Sequence, residues 1–519
     1  MARRPRPLTA AGLAAAGLVA ALVLGSLAAV ASRAQIGPGA GLGPGDWGAV
    51  RFTLWQAAVS AAVSVALAVP VARALARRRF PGRGLLVTLL GAPFILPVIV
   101  AILGLLMVFG RAGWVNDALG VAGLPAVSIY GWHGVILANV FFNLPLATRL
   151  ILQGWLSIPA ERFRLAASLG LDRRRAFRLI EAPMLREVLP GSALVIFLIC
   201  TTSFAVALTL GGGPRATTIE LAIYQAFRFD FDLSRAALLA LLQLGVTALA
   251  GTLALTVAVP DAMGAGLGRP LVRWDRGPVW GDGLAICLAA LFLLAPLAAL
   301  LLRGGPALAG LPASVWVAAG RSTAVALGSA LLCLGLGLAI AVAAQRMGGR
   351  RARGVELAGM LGLAASPLVL GTGLFIMLYP FVRPDRLALP VTALVNATMA
   401  LPFALRALVP AVARIERDYG RLADSLGLGG LARLRRLLLP RLARPLGFAG
   451  GLAAALSMGD LGVIALFADA QSATLPLQLY RLMGAYRMDE AAGAAVLLLG
   501  LSLLAFWIFD RGGRVDADA

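Results

Sequence analysis

An all-α, polytopic membrane protein of about twelve transmembrane helices, laid out as two tandem parallel repeats, is the fold class this sequence predicts. Three observations carry it. The first is composition: of 519 residues, 60% are hydrophobic and only 13% charged, where soluble domains run near 45–50% apolar and about 25% charged. The second is a series of twelve apolar runs, each long enough to cross a ~30 Å hydrocarbon core. The third is an Arg-rich stretch, Ser157 to Pro190, that returns at Arg414 to Pro445. Leu169-Gly170 and Leu426-Gly427 lie 257 positions apart, and so do Pro145 and Pro402, and Pro183 and Pro440.

Taken in order, Arg3, Arg4 and Arg6 precede a first apolar run, Thr9–Ala31. Its end, Ala29-Val30-Ala31, looks like a signal-peptidase site. The run is longer than the ~7–15 residues of a signal core, so an uncleaved first span is expected. The further spans are expected at Phe52–Ala72, Leu85–Gly110, His133–Leu152, Gly191–Leu210, Ala236–Val259, Gly283–Leu302, Ser314–Ala344, Val355–Tyr379, Val391–Pro410, Leu446–Ala468 and Glu490–Phe509. With the N-terminus inside, inner loops and span ends hold 34 Arg and outer ones 12. That bias places both termini in the cytoplasm.

Six spans per half is an even number, so both halves enter the membrane in the same direction. Such repeats are related by an axis along the membrane normal. The join is expected between Pro260 and Gly281, where Pro, Gly, Asp and Arg interrupt the apolar pattern. The implied organisation is an N-terminal helix with its outer loop (1–50), a first transport domain (51–260), a linker with the seventh span (261–312), a second transport domain (313–510) and a cytoplasmic tail (511–519). Thr217–Gln225 (TTIELAIYQ) and Ala473–Arg481 (ATLPLQLYR) extend the repeat. Pro97 and Pro367 pair at an offset of 270, because the first half carries a longer outer loop.

Charge and composition also exclude. A net charge of +22 would suggest nucleic acid for a soluble chain, but here it sits in short loops between spans, so topology is the better explanation. All 46 basic residues are Arg, so no P-loop, which needs Lys at the β/γ-phosphates, is present. The single histidine, His133, excludes a multi-histidine metal site. Cys200, Cys287 and Cys333 fall in apolar spans without metal-ligand spacing, and read as small buried hydrophobes. No metal, no cofactor and no enzymatic chemistry are expected of this chain.

Within the first Arg-rich loop, Ser157 is expected to cap a short helix with Pro159 in its first turn. Gly170 suits the left-handed position that ends it. Phe163, Ala166, Ala167 and Leu169 make an apolar stripe facing the cytoplasm, with Arg162 and Arg164 beside it. Asp172 can cap a second, Arg-rich helix that stops before Pro183. One copy would suit an amphipathic helix lying on anionic lipid. Two copies on one side of a pseudo-twofold axis favour a twofold-symmetric docking partner.

These residues resemble a known family. The spacing from Gly170 to Pro183, and from Gly427 to Pro440, is that of the EAA loop of type I ABC importer permeases. The resemblance implies that the loop helix, with Phe163, Arg164, Ala166, Arg421 and Ala423, seats in a groove on an ATPase subunit. Arg164-Leu165-Ala166 and Arg421-Leu422-Ala423 stand where Glu-Ala-Ala is typical. Asn139–Leu150 (NVFFNLPLATRL), Thr202–Leu244, Ser457–Phe467 (SMGDLGVIALF) and Arg77–Leu86 (RRRFPGRGLL) look more narrowly like the thiamine/thiamine pyrophosphate permeases of that class. Ferric-iron permeases, also fused duplicates, are the nearest alternative. The family would bring two ATP-binding subunits carrying ATP and magnesium, and a periplasmic thiamine-binding protein. An ion-coupled secondary transporter would share the repeats and the polar residues.

Polar groups in spans are costly and usually face an interior or a cavity. Asp460, an acid among Leu, Ala and Gly, is placed to attract a cationic cargo, or else to bond a nearby Arg or an outer gate. Its repeat counterpart is Ser203. Asn139, Asn143 and Asn396 line a path or bond between helices. Pro145 and Pro402 are expected to kink matching spans. His133 reads as interfacial, and Trp114 and Trp132 as an aromatic belt.

Overall fold

The computed structural model describes residues 7–34, 41–90, 95–256, 279–469 and 471–515. Arg3, Arg4 and Arg6, and all but the last residues of the expected join, lie outside the described residues. Among those described, every regular element is a helix. The first half comprises α1 (Pro7–Arg33), α2 (Pro44–Arg77), α3 (Arg83–Leu89), α4 (Val98–Phe109), α5 (Trp114–Val121), α6 (Trp132–Leu156), α7 (Ala160–Ser168), α8 (Arg173–Ala176), α9 (Ala182–Thr201), α10 (Phe204–Leu210), α11 (Ile219–Arg228) and α12 (Leu233–Thr256). The second comprises α13 (Val279–Ala307), α14 (Ala313–Met347), α15 (Gly349–Met360), α16 (Pro367–Leu378), α17 (Ala388–Ser425), α18 (Gly430–Arg433), α19 (Leu439–Arg441), α20 (Ala443–Met458), α21 (Gly462–Phe467), α22 (Leu475–Gly484) and α23 (Met488–Val515).

Eleven helical segments among the described residues are long and apolar enough to cross a membrane. A bent pair, Gly349–Leu363 with Pro367–Leu378 at 95°, makes a twelfth if counted as one span. The chain is thus a multi-pass membrane protein, but four spans expected as continuous rods are broken. Leu85–Gly110 resolves into α3 and α4, and Val355–Tyr379 into α15 and α16. At about 1.5 Å per residue, α4 and α16, each twelve residues long, reach only about 18 Å. Both begin at a proline, Pro97 and Pro367, whose missing N–H and fixed φ suit a helix start rather than a helix interior. Gly191–Leu210 breaks at Thr202-Ser203, and Leu446–Ala468 breaks at Gly459-Asp460-Leu461.

The halves are interlocked. Helix α1 packs on α14, α15 and α16 of the second half, while α13 packs on α2 and α4 of the first. Small residues permit the approach: a Cβ on Gly104 would come 2.7 Å from the Pro296 carbonyl, and Gly373 lies against the Ser26 backbone in the matching pair. The outward face of α13, with Leu284, Leu288 and Leu291, is exposed, as a lipid-facing helix requires. Cys287 lies on that helix and is exposed, unlike the buried Cys200 and Cys333. The expectation of three buried cysteines therefore fails at Cys287.

Candidate functional site

The two Arg-rich loops fold into matching elbows. In the first, α7 begins at Pro159, which takes the N-cap position itself. Ser157, expected as that cap, instead closes α6 and donates to the Gly154 carbonyl at 2.8 Å. Glu161 in the first turn pairs with Arg164 at 2.6 Å. Backbone hydrogen bonding at the helix start, and then Arg164, hold its carboxyl below the usual carboxylate range. Gly170 has φ +62°, Leu171 N–H donates to the Ala166 carbonyl and Gly170 N–H to that of Ala167. Gly427 has φ +66°, with Leu428 donating to Ala423 and Gly427 to Asp424. Both helices thus end in the same left-handed glycine cap.

The stripe expected to face outward is split, with Ala167 and Leu169 exposed and its other two members turned inward. Phe163 and Ala166 are buried, as is Ala423, whereas Arg164 and Arg421 are exposed. The large apolar side chains left outside are Leu165 and Leu169, and at the same offset Leu422 and Leu426. The signal for them was present in the repeat, but a short amphipathic helix offers two faces and spacing alone does not say which one the bundle takes.

Asp172 caps the following turn, accepting from Arg175 N–H at 2.9 Å. That helix does not stop before Pro183. It passes through a π-helical turn, Phe177–Glu181, into α9, and the second elbow repeats this at Leu434–Leu438 before Pro440. A wider turn relieves the clash of a proline ring with the carbonyl four residues earlier, so the chain bends without ending the helix. Pro145 and Pro402 lie within α6 and α17.

Different bonds secure each elbow. Glu181 is fully buried and accepts from Arg73 Nε at 2.7 Å and Nη2 at 3.1 Å, and from Trp155 Nε1 at 3.2 Å. Arg77 lies 3.8 Å away. The matching residue in the second half is Leu438, buried among apolar groups. There Arg433 bonds Glu416, reaches Asp424 at 2.6 Å and donates to the Gly420 carbonyl at 3.3 Å.

Between the halves lie the two helix breaks. Asp460 Oδ1 accepts from Gly462 N–H at 3.2 Å, while buried Oδ2 has no hydrogen-bond partner, nor does the Ser203 hydroxyl. A Cβ on Gly459 would lie 3.1 Å from Pro97, and one on Gly462 3.8 Å from Phe204. The Asp460 turn is therefore wedged between the starts of α4 and α10 of the opposite half. Further out, Phe227 of the first half meets Phe375 of the second at 4.4 Å, Phe375 meets Phe467 at 5.6 Å, and Arg228 donates to the Ala468 carbonyl at 3.4 Å. The Phe227–Phe375 and Arg228–Ala468 contacts join the two halves. Glu220, buried with Oε1 unpartnered, lies nearby on α11; the TTIELAIYQ repeat marked its segment but not its role.

The asparagines are hydrogen-bonded within the bundle. Asn139 donates to Gln56 at 2.7 Å, Gln56 to the Cys200 carbonyl at 2.8 Å, and Asn143 to the Asn139 carbonyl at 2.8 Å. In the second half Asn396 donates to Ser457 at 3.0 Å, and Ser457 meets Ser329 at 2.9 Å. His133 is exposed beside the Ser128 carbonyl, against Trp132, which meets Trp55. Among the described residues no group of three or more His, Cys, Asp or Glu is placed to hold a metal.

No family model matches the chain. It is 40% identical over 487 residues to the thiamine transport system permease protein of Escherichia coli, covering 91% of this chain and 90% of that protein. The corresponding protein of Brucella abortus is 40% identical over 482 residues, covering 91% and 89%. That of Haemophilus influenzae is 34% identical over 469 residues, covering 88% and 87%. Identity at this level is spread over nearly the full length of both partners: the chain belongs to the family of thiamine transport system permease proteins.

Proposed function

We propose that this chain is the permease subunit of an ATP-driven ABC importer that carries thiamine, and its phosphate esters, across the inner membrane. The observation that carries the proposal is the 40% identity over about nine-tenths of both chains to relatives that bear that name. Two ATP-binding subunits dock on the elbows, one each, and supply the ATP and magnesium that this chain does not hold. Identical glycine caps at Gly170 and Gly427 support two equivalent seats, and the exposed edge of each seat is Arg164, Leu165 and Leu169, or Arg421, Leu422 and Leu426. Arg replaces the usual Glu at both, so the seat on the ATPase is expected to present acid. A periplasmic thiamine-binding protein delivers cargo at the outer face, and both termini are cytoplasmic, which the Arg distribution supports.

Opening the outer contacts while closing the elbows is a rocking of one half against the other, with cargo and ATP selecting among preexisting states. Asp460, whose second oxygen lacks a partner where the halves meet, is placed to meet the cationic ring of thiamine as it passes. Ser203, at the equivalent break, supplies only a hydroxyl, so a single cargo meets a single acid. Asn143 and Asn396 hold helices around this point rather than contacting cargo. Vesicles carrying the permease, its ATPase and its binding protein test the reading. Labelled thiamine enters, excess ferric iron does not compete, and Asp460→Asn lowers uptake by about tenfold, the loss of one charge-assisted contact. Iron uptake without thiamine uptake would refute it. Uptake that survives loss of the ATPase but stops when the ion gradient collapses would do the same.

A further inference from the structure

A buried acid is costly unless it is paired, and Glu220 is buried without a pair. It stands on α11, a ten-residue helix outside the membrane-crossing segments, and is 1% exposed. Its Oε1 has no hydrogen-bond partner, and among the described residues no arginine acts on its carboxyl. Folding of this segment does not call for an acid. When TTIELAIYQ is laid on ATLPLQLYR, the residue matching Glu220 is Pro476, which is also buried. Asp460 breaks the repeat in the opposite sense, since its counterpart is Ser203. Each half thus contributes one acid that the other lacks.

The two acids lie at one seam between the halves. Ser366, the N-cap of α16 in the second half, is the polar neighbour of the Glu220 carboxyl. Two residues on, Leu368 lies 3.7 Å from a Cβ placed on Gly462, whose own N–H bonds Asp460. From the first half, Tyr224 is one turn beyond Glu220 on the same face of α11. It meets Phe204 at 5.3 Å, and Phe204 lies 3.8 Å from the same Gly462 Cβ position. Parting the halves along this seam therefore uncovers both acids together. Burial, opposed by the Ser366 hydroxyl, pushes the Glu220 carboxyl up to about 8. At neutral pH it keeps its proton and offers one donor and one acceptor, where an ionised acid only accepts.

We propose that Glu220 is a specificity-determining residue of the cargo path, pairing with the amino group and adjacent ring nitrogen of an aminopyrimidine. This role presupposes that thiamine is the cargo. Thiamine joins an aminopyrimidine to a cationic ring, and the two rings ask for different acids. The cationic ring meets Asp460 alone, while the neutral ring presents a donor beside an acceptor and is matched by Glu220. Two unlike rings need two unlike seats, and Pro476 and Ser203 leave no second copy of either. A cargo without the amino group and ring nitrogen leaves the Glu220 carboxyl unpaired, which is how a polar site rejects an analogue.

Proteoliposomes holding the permease with its ATPase and binding protein test the assignment. The probes are labelled thiamine and its N-benzyl thiazolium analogue, in which a benzene ring replaces the aminopyrimidine. At equal amounts of inserted protein, Glu220→Leu is expected to lower thiamine uptake about tenfold. The same substitution leaves uptake of the benzyl analogue, however small, undiminished. Glu220→Gln, which keeps a donor and an acceptor, retains thiamine uptake. Asp460→Asn lowers uptake of whichever compound the wild type carries, since both hold the cationic ring. The proposal is overturned if Glu220→Gln loses as much thiamine uptake as Glu220→Leu, or if Glu220→Leu carries thiamine at the wild-type rate. An equal loss for both compounds in Glu220→Leu overturns it too, because a purely structural role would act on every cargo. A wild type that carries no thiamine refutes the cargo reading itself, and shows this before any variant is compared.

Discussion

The two elbows share a sequence spacing, a glycine cap and a π turn, but they are joined to the bundle by opposite means. The first is a separate piece: α6 stops at Leu156, Pro159 starts α7, and buried Glu181 bolts the elbow to α2 and α6 through Arg73 and Trp155. The second is continuous with its span. Helix α17 runs 38 residues from Ala388 to Ser425, with Glu416 standing where the first half has Pro159, and Arg433 fastening the elbow to itself. A hinged elbow with an ionic anchor and a rigid elbow with a local clasp can each present the same surface. The lesson is that duplication preserved the exposed surface of both elbows and left free how each half holds it up.

The largest effect should follow from making the first elbow like the second. Glu181→Leu removes the buried carboxylate that Arg73 and Trp155 bond, and is expected to lower the unfolding free energy in detergent by about 3–5 kcal/mol. A loss under about 1 kcal/mol would mean that the anchor contributes nothing net. Next comes the reverse change, Glu416→Pro, which removes Arg433's main partner and breaks a continuous helix. Circular dichroism and denaturant unfolding should show a cost of about 3 kcal/mol, where Pro159→Glu in the first half costs far less. The smallest effects should be equal. Gly170→Ala and Gly427→Ala each force a Cβ into the left-handed region at about 1–2 kcal/mol. A large difference between them would show that the caps are not equivalent.

Much of this architecture was legible beforehand. Hydropathy located the spans, and the constant offset of Gly170 and Gly427 located both elbows. Hydropathy does not register a helix break inside an apolar run, so α3 with α4, and α9 with α10, were read as single rods; Pro97 and Pro367 were the only local marks of two of the four breaks. Glu181 was invisible as an anchor because Arg73 lies 108 positions away. The exchange of α1 and α13 between halves leaves no trace in periodicity, since lipid-facing and protein-facing apolar surfaces have the same composition. Asp460 was legible as a costly acid, but its position between two opposed helix starts required the fold.

The most direct test of the account is ATP-driven uptake of labelled thiamine into proteoliposomes holding the permease with Gly170→Pro and Gly427→Pro, its ATPase and its binding protein. The account predicts that uptake is lost while the protein still inserts and its spans remain folded, because both elbows lose the glycine cap that shapes the docking surface. Uptake at the wild-type rate, with the ATPase still co-purifying, would contradict it.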